Sequence, residues 1–336
     1  MSTTNVLLVF GGESAEHEVS IRSAKNVFDA LDKERYDVSL CYIDRSGIWW
    51  RAEEVAEQKS PTNKLMPLLG EGAFADSNGS QLRPDIIFPA LHGPNGEDGS
   101  VQGLAQLLHI PIAGCGIASS AVCMDKDVTK RLLMQAGITV VPGIMHYRED
   151  AVPFYNNLIK QLGGNALFVK PANMGSSVGV NKATNEDEFA HALEEAHRHD
   201  RKVLIERAIK GRELECAVLG NEQPEASVVG EIMPGDAFYS YDEKYAEDSK
   251  ATTSAHISLP DGVSDKIRET ALGAYKVLEC RGLSRVDFFL ANDGTIYLNE
   301  VNTLPGFTSI SMYPQLWEAS GLSYSALLDR LVELAR

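Results

Sequence analysis

An unbroken apolar run, Val6–Phe10, ends in the pair Gly11-Gly12. A run of that length closed by glycines predicts a strand buried on both faces that enters a tight turn. Beyond the turn, Val19, Ala24, Val27, Phe28 and Leu31 recur near helical spacing, and Val38–Ile43 is a second strand run. Strand, glycine turn, helix and strand predict the βαβ opening of a doubly wound parallel sheet, hence an α/β fold. Residues 50–82 carry Pro61, Pro67 and three glycines without a period, and predict a peripheral insertion. Ile86–Ala90 resumes the sheet, a glycine-rich loop follows at 92–99, and Ser100 is placed to cap a helix over Val101–Leu108.

The pattern then changes. Asp125–Gln135 predicts a helix with Gly137 just past its end. Leu167–Lys170 is a short strand stopped by Pro171. Glu186–His199 sets Phe189, Ala192, Leu193 and Ala196 on one side of a helix, and Val203–Glu206 is a further strand. Strands follow at Glu213–Leu219 and Ser227–Ile232, then the long irregular stretch Met233–Thr253, a length usually functional or disordered. A helix near Ser264–Glu279 precedes Arg285–Leu290 and Thr295–Val301, which pair across Asn292-Asp293-Gly294, a hairpin signal. The 336 residues exceed what one core usually holds, and the pattern divides them at 1–122, 123–209 and 210–336.

A net charge of −16 argues against nucleic acid and anionic membrane as partners, so an anionic ligand has to be held by locally placed Lys, Arg and backbone N–H groups. Cys41, Cys115, Cys123, Cys216 and Cys280 are scattered without a C-x-x-C pair, as expected of reduced thiols in the cytoplasm. The N-terminus lacks the features of a signal peptide, and no apolar run has the length of a membrane span. Asn78-Gly79-Ser80 then reads as a chance match to a glycosylation acceptor.

The most informative chemistry lies in the C-terminal hairpin. Glu300 and Asn302 are two apart and share one strand face, and antiparallel pairing can bring Asp287 beside them. Two carboxylates and an amide make an all-oxygen set suited to Mg²⁺; the alternative is a solvated strand edge. Lys170 at a strand end precedes Pro171-Ala172-Asn173-Met174-Gly175-Ser176-Ser177-Val178-Gly179, whose small residues could let backbone N–H groups wrap phosphate, or form an ordinary turn. It is not a Walker loop, because the chain has no Gly-Lys pair. Lys126 opens a helix and could reach a phosphate or simply face solvent. The segment Leu204–Ile209 leads through a connector to Glu213, either a plain link or a place to meet adenine and ribose. Glu16 and Glu18 fall near a helix N-terminus, where acidic groups are stabilised, or Glu16 could meet a substrate ammonium. Gly114–Ser119 falls short of a dinucleotide fingerprint, and no G-x-S-x-G elbow occurs. His197 and His199 end a polar helix, and no cysteine or third histidine is expected to join them in a metal site.

Taken together these segments resemble the D-alanine–D-alanine ligase family of ATP-grasp enzymes. The likeness rests on GGESAEHEVS at 11–20, LHGPNGEDG at 91–99, MDK at 124–126, KPANMGSSVG at 170–179, EKY at 243–245, GLSRVDF at 282–288 and NEVNTLPGFT at 299–308, in order along nearly the whole chain. It implies a three-domain ATP-grasp architecture whose first domain is the doubly wound sheet. It implies that Lys126, Lys170 and Ser176 hold ATP phosphates and that Lys244 is a further ATP-binding residue. Glu206, Arg207, Ile209 and Glu213 then surround adenine and ribose, and Asp287, Glu300 and Asn302 bind two Mg²⁺ or Mn²⁺ ions. Glu16 and His92 are implied as contacts to the first D-alanine and Ser311 to the second, with Arg285 and the Gly306 N–H at the oxyanion. Tyr239, Lys244 and Tyr245 resemble the family's closing loop, and Tyr245, in a network with Glu16 and Ser176, goes with an amine rather than a hydroxy-acid acceptor. A monovalent cation such as K⁺ and a homodimer through the first domain belong to the same expectation.

The implied reaction joins two D-alanine molecules through a D-alanyl phosphate, with ADP and phosphate as products, for peptidoglycan synthesis. The competing readings are an ATP-grasp ligase with another acceptor, such as D-lactate or D-serine, and a non-catalytic nucleotide-binding protein. The first would lack GGESAEHEVS or EKY if it belonged to a more distant ligase, and the second would be expected to lose Arg285, Glu300 or Asn302.

Overall fold

The computed structural model of the chain describes residues 3–233 and 252–336. Tyr239, Lys244 and Tyr245 lie outside the described residues.

The chain opens with β1 (Thr4–Gly11), α1 (His17–Ala30), β2 (Tyr36–Ile43), β3 (Trp49–Ala52), β4 (Leu65–Leu68), β5 (Ala73–Asp76), β6 (Gln81–Leu82), β7 (Ile86–Pro89), α2 (Ser100–Leu108) and α3 (Ile117–Met124). The first sheet has the order β3-β2-β1-β7, with β1 parallel to both β2 and β7. Val6 through Phe10 are fully buried, as the continuous apolar run requires of a strand covered on both faces. The 50–82 segment is more ordered than its sequence predicts. β3 extends the first sheet, and β4–β6 form a small antiparallel sheet. Leu65 and Phe74 from it are buried against the first sheet, and Trp49 stacks on Phe74 with ring centres 6.1 Å apart. Ser100 does not cap α2. It is the first helical residue, its N–H is taken by the Asp98 carboxylate at 3.0 Å, and the capping position is Gly99 in the left-handed region at φ +97°.

The middle of the chain holds α4 (Lys126–Gln135), β8 (Gly143–Tyr147), α5 (Tyr155–Leu162), β9 (Leu167–Pro171), β10 (Asn181–Ala183), α6 (Glu186–His199) and β11 (Lys202–Arg207). These strands form an antiparallel sheet of order β10-β9-β11-β8. Phe189, Ala192, Leu193 and Ala196 of α6 close its core against Leu167, Val169 and Val203.

The last part contains β12 (Gly211–Leu219), β13 (Glu225–Met233), β14 (Thr252–Ser254), α7 (Val263–Val277), β15 (Leu283–Ala291), β16 (Ile296–Asn302), α8 (Met312–Ala319) and α9 (Tyr324–Leu334). Its sheet is antiparallel, of order β14-β13-β12-β15-β16. The middle and last sheets approach through a bridge between Val140 and Leu298, whose N–H donates to Thr139 at 2.9 Å.

The core beneath one face of the first sheet is not its own. Val6, Leu8, Phe10 and Phe88 pack in one cluster with Leu219, Leu283, Phe307, Tyr313, Leu316, Leu327 and Leu331. Arg35 pairs with Asp329 and Glu333 of α9 at 2.5 and 2.9 Å. Where the first part crosses the start of β15, Gly114 (φ +115°) and Gly282 (φ +70°) lie back to back, and a Cβ built on Gly282 would stand 2.8 Å from the Gly114 Cα. Only hydrogen fits there.

Candidate active site

The site begins with the first turn of α4. The Asp125 carboxylate caps it, accepting from the N–H groups of Asp127 and Val128 at 3.1 Å each. Lys202 of β11 reaches both Asp125 oxygens at 2.8 Å and Asp127 at 2.7 Å, pinning the helix to the middle sheet. That pin sets Lys126 and Lys130, four apart and therefore on one helix face, toward the last sheet. Lys126 Nζ donates to the Met174 carbonyl at 2.7 Å and stands 3.5 Å from Glu300 Oε2.

Lys170 ends β9, and its Nζ lies 2.5 Å from Glu206 Oε2 and 3.3 Å from Asn299 Oδ1. Glu206, on β11 two residues beyond Leu204, the register partner of Lys170, is 2 % exposed and also pairs with Lys130, whose Nζ is 2.6 Å from Oε1. Burial alone would raise the Glu206 carboxyl, but Lys130 and Lys170 outweigh it and hold the group below its ordinary range. Burial pulls the Lys130 ammonium down to about 8, with Glu206 opposing the shift and Lys170 adding to it. From β11 the chain runs through half-buried Ile209 to β12 and Glu213. The Arg207 guanidinium lies on the Tyr297 ring and donates to its hydroxyl at 2.6 Å.

The hairpin of β15 and β16 brings its polar residues together as the spacing predicts: Asp287 faces Glu300, and Arg285 faces Asn302. The register shifts between Asp287 and Phe288, which pairs with Leu298, so Asn299 is the extra residue of a bulge. A bulge re-aims side chains locally, and here Asn299 meets Lys170 while its neighbour Glu300 meets Lys126. Asn302 Nδ2 donates to Asp287 Oδ2 at 2.9 Å, which leaves its Oδ1 as the remaining acceptor. Arg285 grips Asp287 through Nε and Nη2, both at 2.8 Å, and its Nε is 3.1 Å from Glu215.

A second group of polar residues gathers around the start of α1. Glu16 stands at the N-cap of α1 but makes no side-chain capping bond; its carboxylate instead accepts from the Ser176 hydroxyl. The default sequence reading, an acid stabilising the helix start, fits Glu18, which lies in the first turn of α1. A Cβ on Gly93 or on Gly175 would come within 3.2 Å of Glu16 Oε2, so both loops need glycine to close around that carboxylate. Ser176 and Ser177 both adopt left-handed backbone, φ +48° and +58°, an arrangement side chains adopt at a cost and which concentrates at functional loops. His92 is buried, with Nε2 3.0 Å from Ser23 Oγ and Nδ1 3.2 Å from the Leu304 carbonyl. Burial works against charge on His92, but Glu97 and Glu16 outweigh it and raise its pKa. Ser23 also accepts from the Phe307 N–H at 3.3 Å, tying the 304–307 loop to α1. At Gly306 a Cβ would meet Ser311 Oγ at 2.6 Å, and that oxygen takes the Thr308 N–H at 3.0 Å.

Sequence reasoning missed Lys130, Asn299 and Glu215. Lys130 had a signal, since it repeats Lys126 one helical turn on; the other two depend on bulge and sheet register. It also missed His146, whose Nδ1 lies 2.9 Å from His197 Nε2, so a third histidine does join the α6 end. Among the described residues no group of three or more His, Cys, Asp or Glu is placed to hold a metal. The hairpin set has two carboxylates and an amide. Facing lysines with an oxygen cluster between them can hold a polyanion together with a hard divalent cation.

Profiles described as D-ala D-ala ligase N-terminus and D-ala D-ala ligase C-terminus match residues 5–115 and 132–333. A D-alanine–D-alanine ligase of Shouchella clausii (strain KSM-K16) is 49% identical, the match covering 100% of this chain and 95% of that protein. The solved D-alanine-D-alanine ligase from Coxiella burnetii superposes with a TM-score of 0.90 at 38% identity, over 100% of this chain and 94% of that one. The VanG D-Ala:D-Ser ligase from Enterococcus faecalis superposes at 0.88 with 35% identity, over 100% of both chains. The α/β architecture is the ATP-grasp fold. With both profiles and these full-length relatives matched, the chain belongs to the D-alanine–D-alanine ligase family.

Proposed function

We propose that the protein joins two D-alanine molecules in an ATP-dependent reaction, releasing ADP and phosphate, for peptidoglycan synthesis. The observation that carries this is the meeting of Lys126 and Lys170 with Glu300 and Asn299 at 3.5 and 3.3 Å, which gives a nucleotide triphosphate a cationic wall on one side and an oxygen cluster on the other. In our reading the first D-alanine carboxylate attacks the γ-phosphorus, forming a D-alanyl phosphate as the bond to ADP breaks. The amine of the second D-alanine, deprotonated, then attacks the acyl carbon, and phosphate leaves. Lys126, Lys170 and Ser176 hold phosphate, and Glu206, the backbone of Arg207, Ile209 and Glu213 surround the base and ribose. Glu16, enclosed by two glycine loops, takes the first ammonium beside His92, and Ser311 meets the second amino acid. Arg285 and the Gly306 N–H stabilise the oxyanion. Lys244 and Tyr245 keep the roles that the resemblance gives them, closing the site against water and favouring an amine acceptor.

Asp287, Glu300 and Asn302 fit Mg²⁺ or Mn²⁺, because all three offer oxygen and Asn302 already spends its nitrogen on Asp287. The metal would supply charge neutralisation on the triphosphate. We also propose divisions at 1–122, 123–209 and 210–336, dependence on a monovalent cation, a homodimer through the first domain, and a cytoplasmic location consistent with five free, buried thiols. Among the described residues no helix is long and apolar enough to cross a membrane.

Phosphate release tests the reading. It should require ATP, Mg²⁺ and D-alanine together and yield D-alanyl-D-alanine. Because one close structural relative is named as a D-Ala:D-Ser ligase, D-serine and D-lactate belong in the same assay. ATP turnover independent of D-amino acid, or no turnover with any of them, would overturn it.

A further inference from the structure

Lys130 has no part in the reading above, yet it is the most deeply buried lysine of the site at 4 % exposure. Its Nζ is 2.6 Å from one Glu206 oxygen while Lys170 takes the other at 2.5 Å. Taking a lysine out of water is costly unless its charge is used. Two ammonium groups share one carboxylate, so the triad carries a net single positive charge. Only Lys170 has its second contact, Asn299 at 3.3 Å, on the last sheet, where the phosphates would lie. Without Lys130, Glu206 and Lys170 would form a closed neutral pair, and a triphosphate would have to break that pair to claim Lys170.

We propose that Lys130 is a positioning residue for nucleotide binding: by occupying half of Glu206, it leaves Lys170 with positive charge to give to the triphosphate. The proposal rests on the assignment of Lys170 to phosphate. It also makes Glu206 more than a neighbour of the base, since the same carboxylate orients a phosphate-binding lysine. The charged groups facing Lys130 are Glu206 from β11, Lys170 from β9 and Glu300 from β16, and their balance together with burial brings its titration to about 8. Above that pH Lys130 loses its proton, and the free enzyme should lose affinity for ATP as the Lys170–Glu206 pair closes.

The test is steady-state kinetics at saturating D-alanine and fixed Mg²⁺, with thermal melting as a folding control. Lys130→Met should raise KM for ATP by about tenfold or more, with kcat changed far less, the signature of lost binding rather than lost chemistry. Lys130→Arg stays charged at all working pH values. It should keep KM near that of the wild type at neutral pH and abolish the fall in kcat/KM for ATP expected of the wild type above about pH 8. An unchanged KM in a folded Lys130→Met variant, or an alkaline fall retained in Lys130→Arg, would each overturn the proposal. Lys170→Met separates the two levels. If it leaves KM for ATP unchanged, the phosphate assignment itself fails; if it raises KM while Lys130→Met does not, only the role of Lys130 fails.

Discussion

At the scale of single residues, the site is made of groups whose partners fix their orientation. Arg285 holds Asp287 through two parallel bonds of 2.8 Å, a geometry lysine cannot reproduce. Arg285→Lys should therefore lower kcat for dipeptide formation by about 10²–10³, the usual loss when one oxyanion donor is removed; a fall of less than fivefold would place the oxyanion elsewhere. Gly306→Ala pushes a methyl group to 2.6 Å from Ser311 Oγ, so Ser311 must move. We expect KM for D-alanine to rise by about tenfold while KM for ATP stays within twofold, a split measured by varying each substrate in turn. An equal rise in both would mean a general loosening. Much at this scale was legible in the sequence. Asp287, Glu300 and Asn302 converge because a two-residue strand period and a hairpin leave little choice. The Ser176–Ser177 backbone and the placement of Asn299 were not legible, since serine carries no mark of a left-handed conformation and a bulge adds one residue without changing the composition of the strand.

Among the elements, α4 bears the most weight. Asp125 both caps it and anchors Lys202, and Lys126 and Lys130 depend on its angle. Asp125→Ala should cost about 1–2 kcal/mol of stability, the upper part of the range for a lost cap, read as a lower melting temperature. KM for ATP should rise in the same variant. A stability loss with unchanged KM would show that Lys202 and Asp127 alone aim the helix. The helix was legible because aspartate, lysine spacing and a trailing glycine agree. α3 was not, because its eight residues, Ile-Ala-Ser-Ser-Ala-Val-Cys-Met, include no charged side chain and too few polar ones to mark a helical period. β4 to β6 were missed for another reason. Strands of two to four residues are too short for alternation to appear, and their order comes from Leu65 and Phe74 docking on a sheet distant in sequence.

For the whole molecule, sequence order and packing order differ. α8 and α9 close the chain, yet they complete the core of the sheet that begins it. The linear division at 1–122 could not show this, because periodicity records a buried face but not what buries it. Calorimetry should therefore find the first sheet and the C-terminal helices melting in one transition, and removal of residues 312–336 should unfold both. Two separable transitions would show that the shared cluster is a weak contact.

The back-to-back glycines at 114 and 282 set a limit on how this assembly can vary. Side-chain interfaces adjust, since a lost methyl can be replaced by a neighbour's rotamer. A seam in which main chain rests on main chain has no such slack. The gap between the loop at Gly114 and the start of β15, and with it the distance between the proposed amino-acid and phosphate ends of the site, is thus gauged by peptide thickness itself. A single methyl on Gly282 would act as a shim, lengthening the proposed path of the acyl group while leaving every proposed catalytic side chain intact.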